Sequence, residues 1–524
     1  MFYYFKKLPK NKLLFYLFLA LSIIPLFFFK YYVSLDGPQH LYNANVLTEI
    51  IKGNKNINDF FKINPVIVGY WSGHFFLAFF KLFFISWLAE KLFIISYIIS
   101  IAFSFRYLIR SINKENDLMA VLIFPFAYSM YFMMGYYSFS IAFIPLFLLF
   151  GFLIRHPKLN LKNLLILCLL FLVLFLSHAF VFGLTGIALI VYLITEFIFT
   201  KIRKEKVDFI SFLKKSLLIL LSAIPALILW VIYLKYVMQI NDTVIPVTYS
   251  VTELTGFILR VRQLVAFHHE KEAVGLIPVF NVLVLLFTGY LITVSKINKK
   301  LRVKELFSEK NVMFAVAFVF LFLYYIMPDR ISAGSLVNRI ALMFFYFFII
   351  ALAVQKVPKV ITIFSVVILF FSFLYLQIYR TKEHINFNKV ITDIHSTEKY
   401  IKKNSVLYTI RESDIWFDLH YGCYAGVDKP IVNLKSPQNR GQFPIIWNYK
   451  NLPVLEVGDK IIFGKNPPYM PASTNKKIKK ADYILVYHKH KDYELGKKNT
   501  EIINNFYKLI YKSSGGYADL YILK

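Results

Sequence analysis

The chain has 524 residues, of which 58% are hydrophobic, 19% aromatic and 17% charged. A soluble domain lies nearer half apolar and a quarter charged, so an ordinary cytosolic enzyme is excluded. Lys and Arg number 60 against 30 acidic residues, a net charge of +30. That excess sits mostly in short connectors between apolar runs, as the positive-inside rule produces, so a nucleic-acid partner is unnecessary.

The expected class is a polytopic α-helical membrane protein, with the lipid bilayer as its first partner. Lys6, Lys7, Lys10 and Lys12 precede an apolar run at 13–30 that no small-residue cleavage pattern follows. This reads as an uncleaved first span with a cytoplasmic N-terminus. Further spans are expected at 91–110, 117–134, 138–154, 163–179, 180–199, 215–237, 274–295, 312–327, 336–354 and 358–378. The run 66–86 is interrupted by Gly69, Ser72, Gly73, His74 and Lys81. Counting it as a full span would reverse the sidedness of everything after it. It is therefore expected to be a re-entrant or interfacial helix in an outer juxtamembrane segment, 31–90.

That leaves eleven spans, within a range of 11–13. The basic connectors 106–114, 155–162, 201–215, 296–310 and 356–359 face the cytoplasm. Those at 131–138, Ser177-His178, 237–272 and 328–338 face outward. Residues 1–380 form the transmembrane unit. The tail, 381–524, carries 23 basic and 14 acidic residues and strand-like runs such as Tyr483-Ile484-Leu485-Val486-Tyr487. It reads as a small α/β or α+β soluble domain on the outer side, tethered to the last span. Cys168 lies in an apolar run and Cys423 in the tail, which excludes a disulfide framework and a Cys metal site. The Lys, Asn, Ile and Phe bias suggests a low-GC bacterium, hence its cytoplasmic (inner) membrane.

Unusual polar groups collect in the outward connectors. Asp36 follows the first span at once, Gly37-Pro38 forces a turn, and His40 is one helical turn farther on. A carboxylate beside an imidazole at the membrane surface can act as a general base or help bind a metal. The bland reading is an interfacial turn with a solvated Asp. His178 interrupts a long apolar stretch, either as a packing histidine or as a functional group at membrane depth. The 237–272 connector holds Asp242, Glu253, Arg260, Arg262, His268, His269 and Glu270. Adjacent helical histidines point to different sides, so this connector reads first as a wet loop. Arg330 and Arg339 flank the start of a later span. An outer Arg offers a planar fork to phosphate at a helix N-terminus, or it snorkels to headgroups.

These residues carry a family resemblance. A cytoplasmic N-terminus, one span and an acidic residue opening the first outer loop is similar to the GT-C superfamily of membrane glycosyltransferases, which includes protein O-mannosyltransferases and aminoarabinose transferases. Asp36-Gly37-Pro38-Gln39-His40-Leu41-Tyr42 resembles the opening of bacterial members, and Met134-Gly135-Tyr136-Tyr137-Ser138-Phe139 resembles their aromatic outer turn. Pro328 through Arg339 resembles their late loop, and Ala481-Asp482-Tyr483 with Ala518-Asp519-Leu520-Tyr521 fits their tail.

The resemblance implies sugar transfer from a polyprenyl-phosphate-linked donor to a glycan, lipid or protein acceptor on the outer face, by direct inverting displacement. Asp36 would be the base and Arg339 would hold the carrier phosphate. The substrate site would draw on His40, Tyr42, His74, Tyr136, His178, Arg260, Arg262, His268, His269 and Arg330. Metal use varies in the family. A divalent ion, Mg or Mn, would have to find ligands among Asp36, His40, His269 and Glu270. The second acidic residue found beside the first in many members is absent. Two other readings share the carrier. A transporter or flippase would need midplane charges or inverted repeats, whereas Glu196 lies near a cytoplasmic end. A glycan polymerase usually has a longer central outer loop than 237–272. A non-catalytic scaffold for the outer domain is a further reading.

Overall fold

The computed structural model describes residues 10–205, 208–240, 246–329, 335–413, 415–436, 441–458, 460–463, 478–488 and 497–524. Among these, eight helices are long and apolar enough to cross a membrane. They are Ser86–Ile112, Tyr137–Arg155, Ala179–Ile202, Phe209–Gln239, His269–Ser295, Glu309–Ile326, Leu336–Ala353 and Lys359–Tyr400. The chain is thus a mainly helical protein of polytopic membrane character.

Three of the eleven expected spans differ. Two fall on shorter apolar helices. The first, Lys10–Ile23, tightens into a 3-10 turn, Ile24–Phe28, at Pro25. The other, Leu161–Ser177, stops where His178 turns extended at φ −161°, ψ 111°. The third, 117–134, is not one helix at all. It runs as a 3-10 segment, Lys114–Leu122, then two short helices, Ile123–Ala127 and Met130–Met133. Asn116 leaves helical geometry, Pro125 cannot donate to the preceding turn, and the Ser129 hydroxyl restarts the helix by accepting from Phe132 N. Residues 119–129 are buried throughout. Their hydrophobicity serves the protein interior, which short apolar runs do as often as they span.

The awkward run 66–86 forms the 11-residue helix Trp71–Lys81. At 1.5 Å per residue that is roughly 16 Å, too short for a bilayer core of about 30 Å.

The last of these long helices, Lys359–Thr397, has 39 α-helical residues and passes position 380 without a break; it is called the last helix below, although a short helix, Lys497–Phe506, follows it in the C-terminal region. The expected division at 380/381 therefore falls inside a rigid element. Beyond it lies a five-stranded sheet in the order Val432–Asn433, Val406–Glu412, Tyr483–His488, Ala518–Leu523, Tyr507–Lys512. The first three strands are parallel and the last two join antiparallel. Tyr483–His488 is buried along its whole length, as a central strand covered on both faces should be.

This C-terminal region is not merely tethered. Phe61–Ile63 pairs antiparallel with Ile445–Trp447, and the Phe61 and Trp447 rings stack at 4.4 Å. The Asn45 side chain donates to Gly426 O at 3.0 Å and Lys429 O at 2.9 Å. The helix Gly37–Ile51 is consequently buried through its first three turns. The shared ladder joins the 31–90 segment to the C-terminal region.

Candidate functional site

The position of Asp36 follows from two glycines. Asp36 N donates to Met134 O at 2.9 Å, which brings the 134–137 turn against the start of the helix Gly37–Ile51. Gly135 sits at φ +82°, and a Cβ there would collide with Gly37 N and press the Asp36 backbone at 3.0 and 3.1 Å. A Cβ on Gly37 would collide with Ser34 Oγ and lie 2.6 Å from the Tyr137 hydroxyl. Two backbones can approach this closely only where neither carries a side chain. Gly135→Ala is expected to destabilise the protein by about 2–4 kcal/mol, from left-handed strain plus overpacking. Thermal unfolding in detergent reads this directly, and an unchanged Tm would contradict the close approach. Asp36 stands at the N-cap, but its side chain does not cap the helix.

Tyr136 connects Asp36 to Arg339. Burial and then the Asp36 carboxylate push its hydroxyl up to about 12, while the Arg339 guanidinium acts in the opposite direction. The guanidinium carbon lies 5.6 Å from the Tyr131 ring, 5.8 Å from Tyr136, 5.6 Å from Phe139 and 5.9 Å from Phe180. An aromatic box of this kind holds a cation through the ring quadrupoles. Arg339 Nε is buried and has no hydrogen-bond partner among the described residues. Arg339 is fixed by the first turn of its helix. Ser335 Oγ accepts from Asn338 N, Asp329 Oδ1 accepts from Val337 N at 3.0 Å, and the Tyr131 hydroxyl donates to Ser335 O at 2.8 Å.

The His178 break abuts the same box. Its ring is 5.2 Å from Phe139 and 4.7 Å from Tyr70, and Ala179 N donates to Gly69 O at 3.2 Å. Gly73 N donates to Ser138 Oγ at 3.1 Å, which draws the short helix Trp71–Lys81 onto the aromatic turn. His74 and His40 then meet with ring centroids 4.6 Å apart, and His40 also packs 5.4 Å from Tyr137. Burial, reinforced by His74, holds His40 well below the usual imidazole range, and burial holds His74 at about 4. Both are neutral near pH 7. Six expected residues, Asp36, His40, His74, Tyr136, His178 and Arg339, are thus brought together through one set of contacts.

The other expected residues sit elsewhere. The Tyr42 hydroxyl donates to Ile431 O and accepts from Asn433 N, both at 2.9 Å, so it joins the 37–51 helix to the C-terminal sheet. Arg262 lies over Phe257 at 4.1 Å, and exposed Arg260 ends the helix Val251–Leu259. Glu253 closes a capping box with Ser250. His268, His269 and Glu270 open the helix His269–Ser295 on an exposed or half-exposed surface. Arg330 and Asp242 lie outside the described residues.

Asp36, His40, His269 and Glu270 do not converge as a metal site. Among the described residues, the one group of three convergent ligand atoms contains none of them. The ring of His40 faces His74 and Tyr137, and the Asp36 carboxylate lies beside a third imidazole.

That imidazole is His420, which sequence reasoning missed. Its Nε2 lies 3.5 Å from Asp36 Oδ1. Burial, followed by Arg411, holds His420 at about 4, so it meets the carboxylate as a neutral ring. No motif marks it, since it arrives from the C-terminal region through tertiary packing. No family model matches the chain, and no curated protein matches it.

Proposed function

We propose that the chain is a membrane glycosyltransferase that moves a sugar from a polyprenyl-phosphate-linked donor to an acceptor hydroxyl or amine. Asp36 is the general base and Arg339 holds the carrier phosphate. The observation that carries this reading is the 134–136 turn, where Met134 O accepts from Asp36 N at 2.9 Å and the Tyr136 ring lies 5.8 Å from the Arg339 guanidinium. An acid–base group and a guanidinium with an unpartnered Nε then belong to one site at the end of an apolar helix bundle.

The chemistry balances with these two groups. The acceptor's proton passes to Asp36 as its oxygen or nitrogen attacks the anomeric carbon. The bond from that carbon to the phosphate oxygen breaks, and its electron pair leaves on the phosphate beside Arg339. Direct displacement inverts the anomeric centre. The candidate ligands Asp36, His40, His269 and Glu270 are not gathered into one group among the described residues, and no step is routed through a metal there. The compositional bias supports a bacterial cytoplasmic membrane, with the site facing away from the cytoplasm.

Native mass spectrometry of the purified protein tests the phosphate assignment. Wild type is expected to retain polyprenyl-phosphate species, and Arg339→Ala is expected to lose them. A carrier held equally by both would move its phosphate away from Arg339. Loss of a guanidinium–phosphate contact should weaken binding by about tenfold to a hundredfold, from roughly 1.5–3 kcal/mol for a charge-assisted hydrogen bond.

A further inference from the structure

A second cluster of chemically active side chains lies at the far end of the last helix, among residues that the proposed transfer does not use. His395 and Glu398 are three residues apart there, and the 427–430 turn brings Asp428 against them. His395 Nε2 is 3.1 Å from Asp428 Oδ2 and 3.3 Å from Glu398 Oε2. The three candidate ligand atoms all lie within 4.8 Å of one another.

Those separations can be compared with coordination geometry. A zinc ion sits about 2.0–2.2 Å from imidazole nitrogen and carboxylate oxygen, which places neighbouring ligand atoms roughly 3.0–3.5 Å apart. The two edges from His395 Nε2 already have that length. The third edge, between the two carboxylate oxygens, lies within 4.8 Å and must reach the same length, a closing movement of at most about 1.5 Å by one carboxylate.

The ligands are also oriented from behind. Glu398 Oε1 accepts from Asp428 N and Lys429 N, both at 2.9 Å. Asp428 Oδ1 accepts from Ser86 N at 3.0 Å and from Lys81 Nζ at 2.5 Å. One oxygen of each carboxylate is therefore fixed, and the other is turned toward His395. Support of this kind is what orients metal ligands. Glu398 is only 4% exposed, so its carboxylate has been taken out of water and needs a compensating charge. An open cavity of about 460 Å³ adjoins the cluster, lined by Lys30, Lys81, Trp87, His395 and Asp428. It provides an entry path and room for water to complete the coordination shell.

We propose that His395, Glu398 and Asp428 form a binding site for one divalent transition-metal ion of the zinc type. One imidazole with two carboxylates suits zinc better than magnesium, which retains its water and prefers oxygen. The ion fastens the end of the last helix to the 427–430 turn, and Ser86 ties the same turn to the start of the helix Ser86–Ile112. The site stands apart from Asp36 and does not depend on the transferase reading. The competing arrangement is a protonated imidazole bridging the two carboxylates without any ion.

The full chain, stripped with a chelator and re-equilibrated with Zn²⁺ in excess Mg²⁺, is assayed for bound metal by mass spectrometry and for Tm. Wild type and Asp36→Asn are each expected to retain one zinc per chain, with a higher Tm than the stripped protein. His395→Gln, which keeps size and polarity, should bind zinc at least about tenfold more weakly. Asp428→Asn should do the same, although it also loses the Lys81 pair. A wild-type sample loaded with Co²⁺ is expected to show visible d–d absorption, which needs no variant to fold. Absence of zinc and of cobalt bands in wild type would overturn the site in favour of the protonated bridge. Zinc bound as tightly by His395→Gln as by wild type would overturn it too.

Discussion

Asp36→Asn is expected to lower sugar transfer by about a hundredfold to ten-thousandfold, the usual worth of a positioned general base, while leaving the carrier bound. The substitution keeps side-chain size and leaves the backbone contacts intact, including Asp36 N to Met134 O and Asp36 O to Gln39 N and His40 N. The Gly37–Gly135 contact that sets its position is untouched. Only the ability to take a proton is lost. Turnover of a radiolabelled lipid-linked sugar, measured beside carrier occupancy, separates the two effects. Turnover that survives at wild-type level would remove Asp36 from the base role. Joint loss of turnover and carrier would instead make Asp36 part of the binding surface. His420→Phe should have a smaller effect, since His420 acts through the carboxylate 3.5 Å away.

The sequence carried the parts of this site that have a local cause. Gly37-Pro38 after an apolar run signals a forced turn, and Met134-Gly135-Tyr136 signals a second one. An ionisable residue within a stretch as apolar as that around His178 is costly enough to stand out. Residues whose role arises from packing across the chain carried no such mark. His420 reaches Asp36 only because the strand Phe61–Ile63 and the Tyr42 hydroxyl lock the C-terminal region onto the 31–90 segment. His395, Glu398 and Asp428 are split between a helix end and a distant turn, so their convergence exists only in the fold.

The run 117–134 reads as a span for a related reason. Hydropathy measures exclusion from water, and the buried 119–129 run satisfies it inside the protein, with a Pro and two Asn or Ser positions breaking its helix. The boundary at 380 falls inside the last helix because polarity returns along it before the helix ends. Arg380, His384, Asn388 and Asp393 are all buried there against protein rather than exposed to water.

Arg380→Met should cost about 3–5 kcal/mol of stability, because it leaves a buried carboxylate without its counter-charge. Glu272 is fully buried, and Arg380 Nε and Nη2 donate to its Oε2 at 2.9 and 2.8 Å. Glu272 Oε1 also accepts from Ala266 N at 2.9 Å, Phe267 N at 2.6 Å and His268 N at 3.2 Å. Arg380 in turn donates to Leu264 O, so the pair pins the 264–268 loop to the last helix. Removing both charges should not recover the loss. An ion pair can often be exchanged for apolar residues at little cost, but here three backbone N–H groups would be left without an acceptor, at about 1–3 kcal/mol for each buried orphan. The double variant Glu272→Leu/Arg380→Met is therefore expected to stay well below wild type in Tm. Glu272→Gln, which keeps one carbonyl acceptor, should be the mildest of the series. A double variant as stable as wild type would show that the pair serves the ions and not the loop.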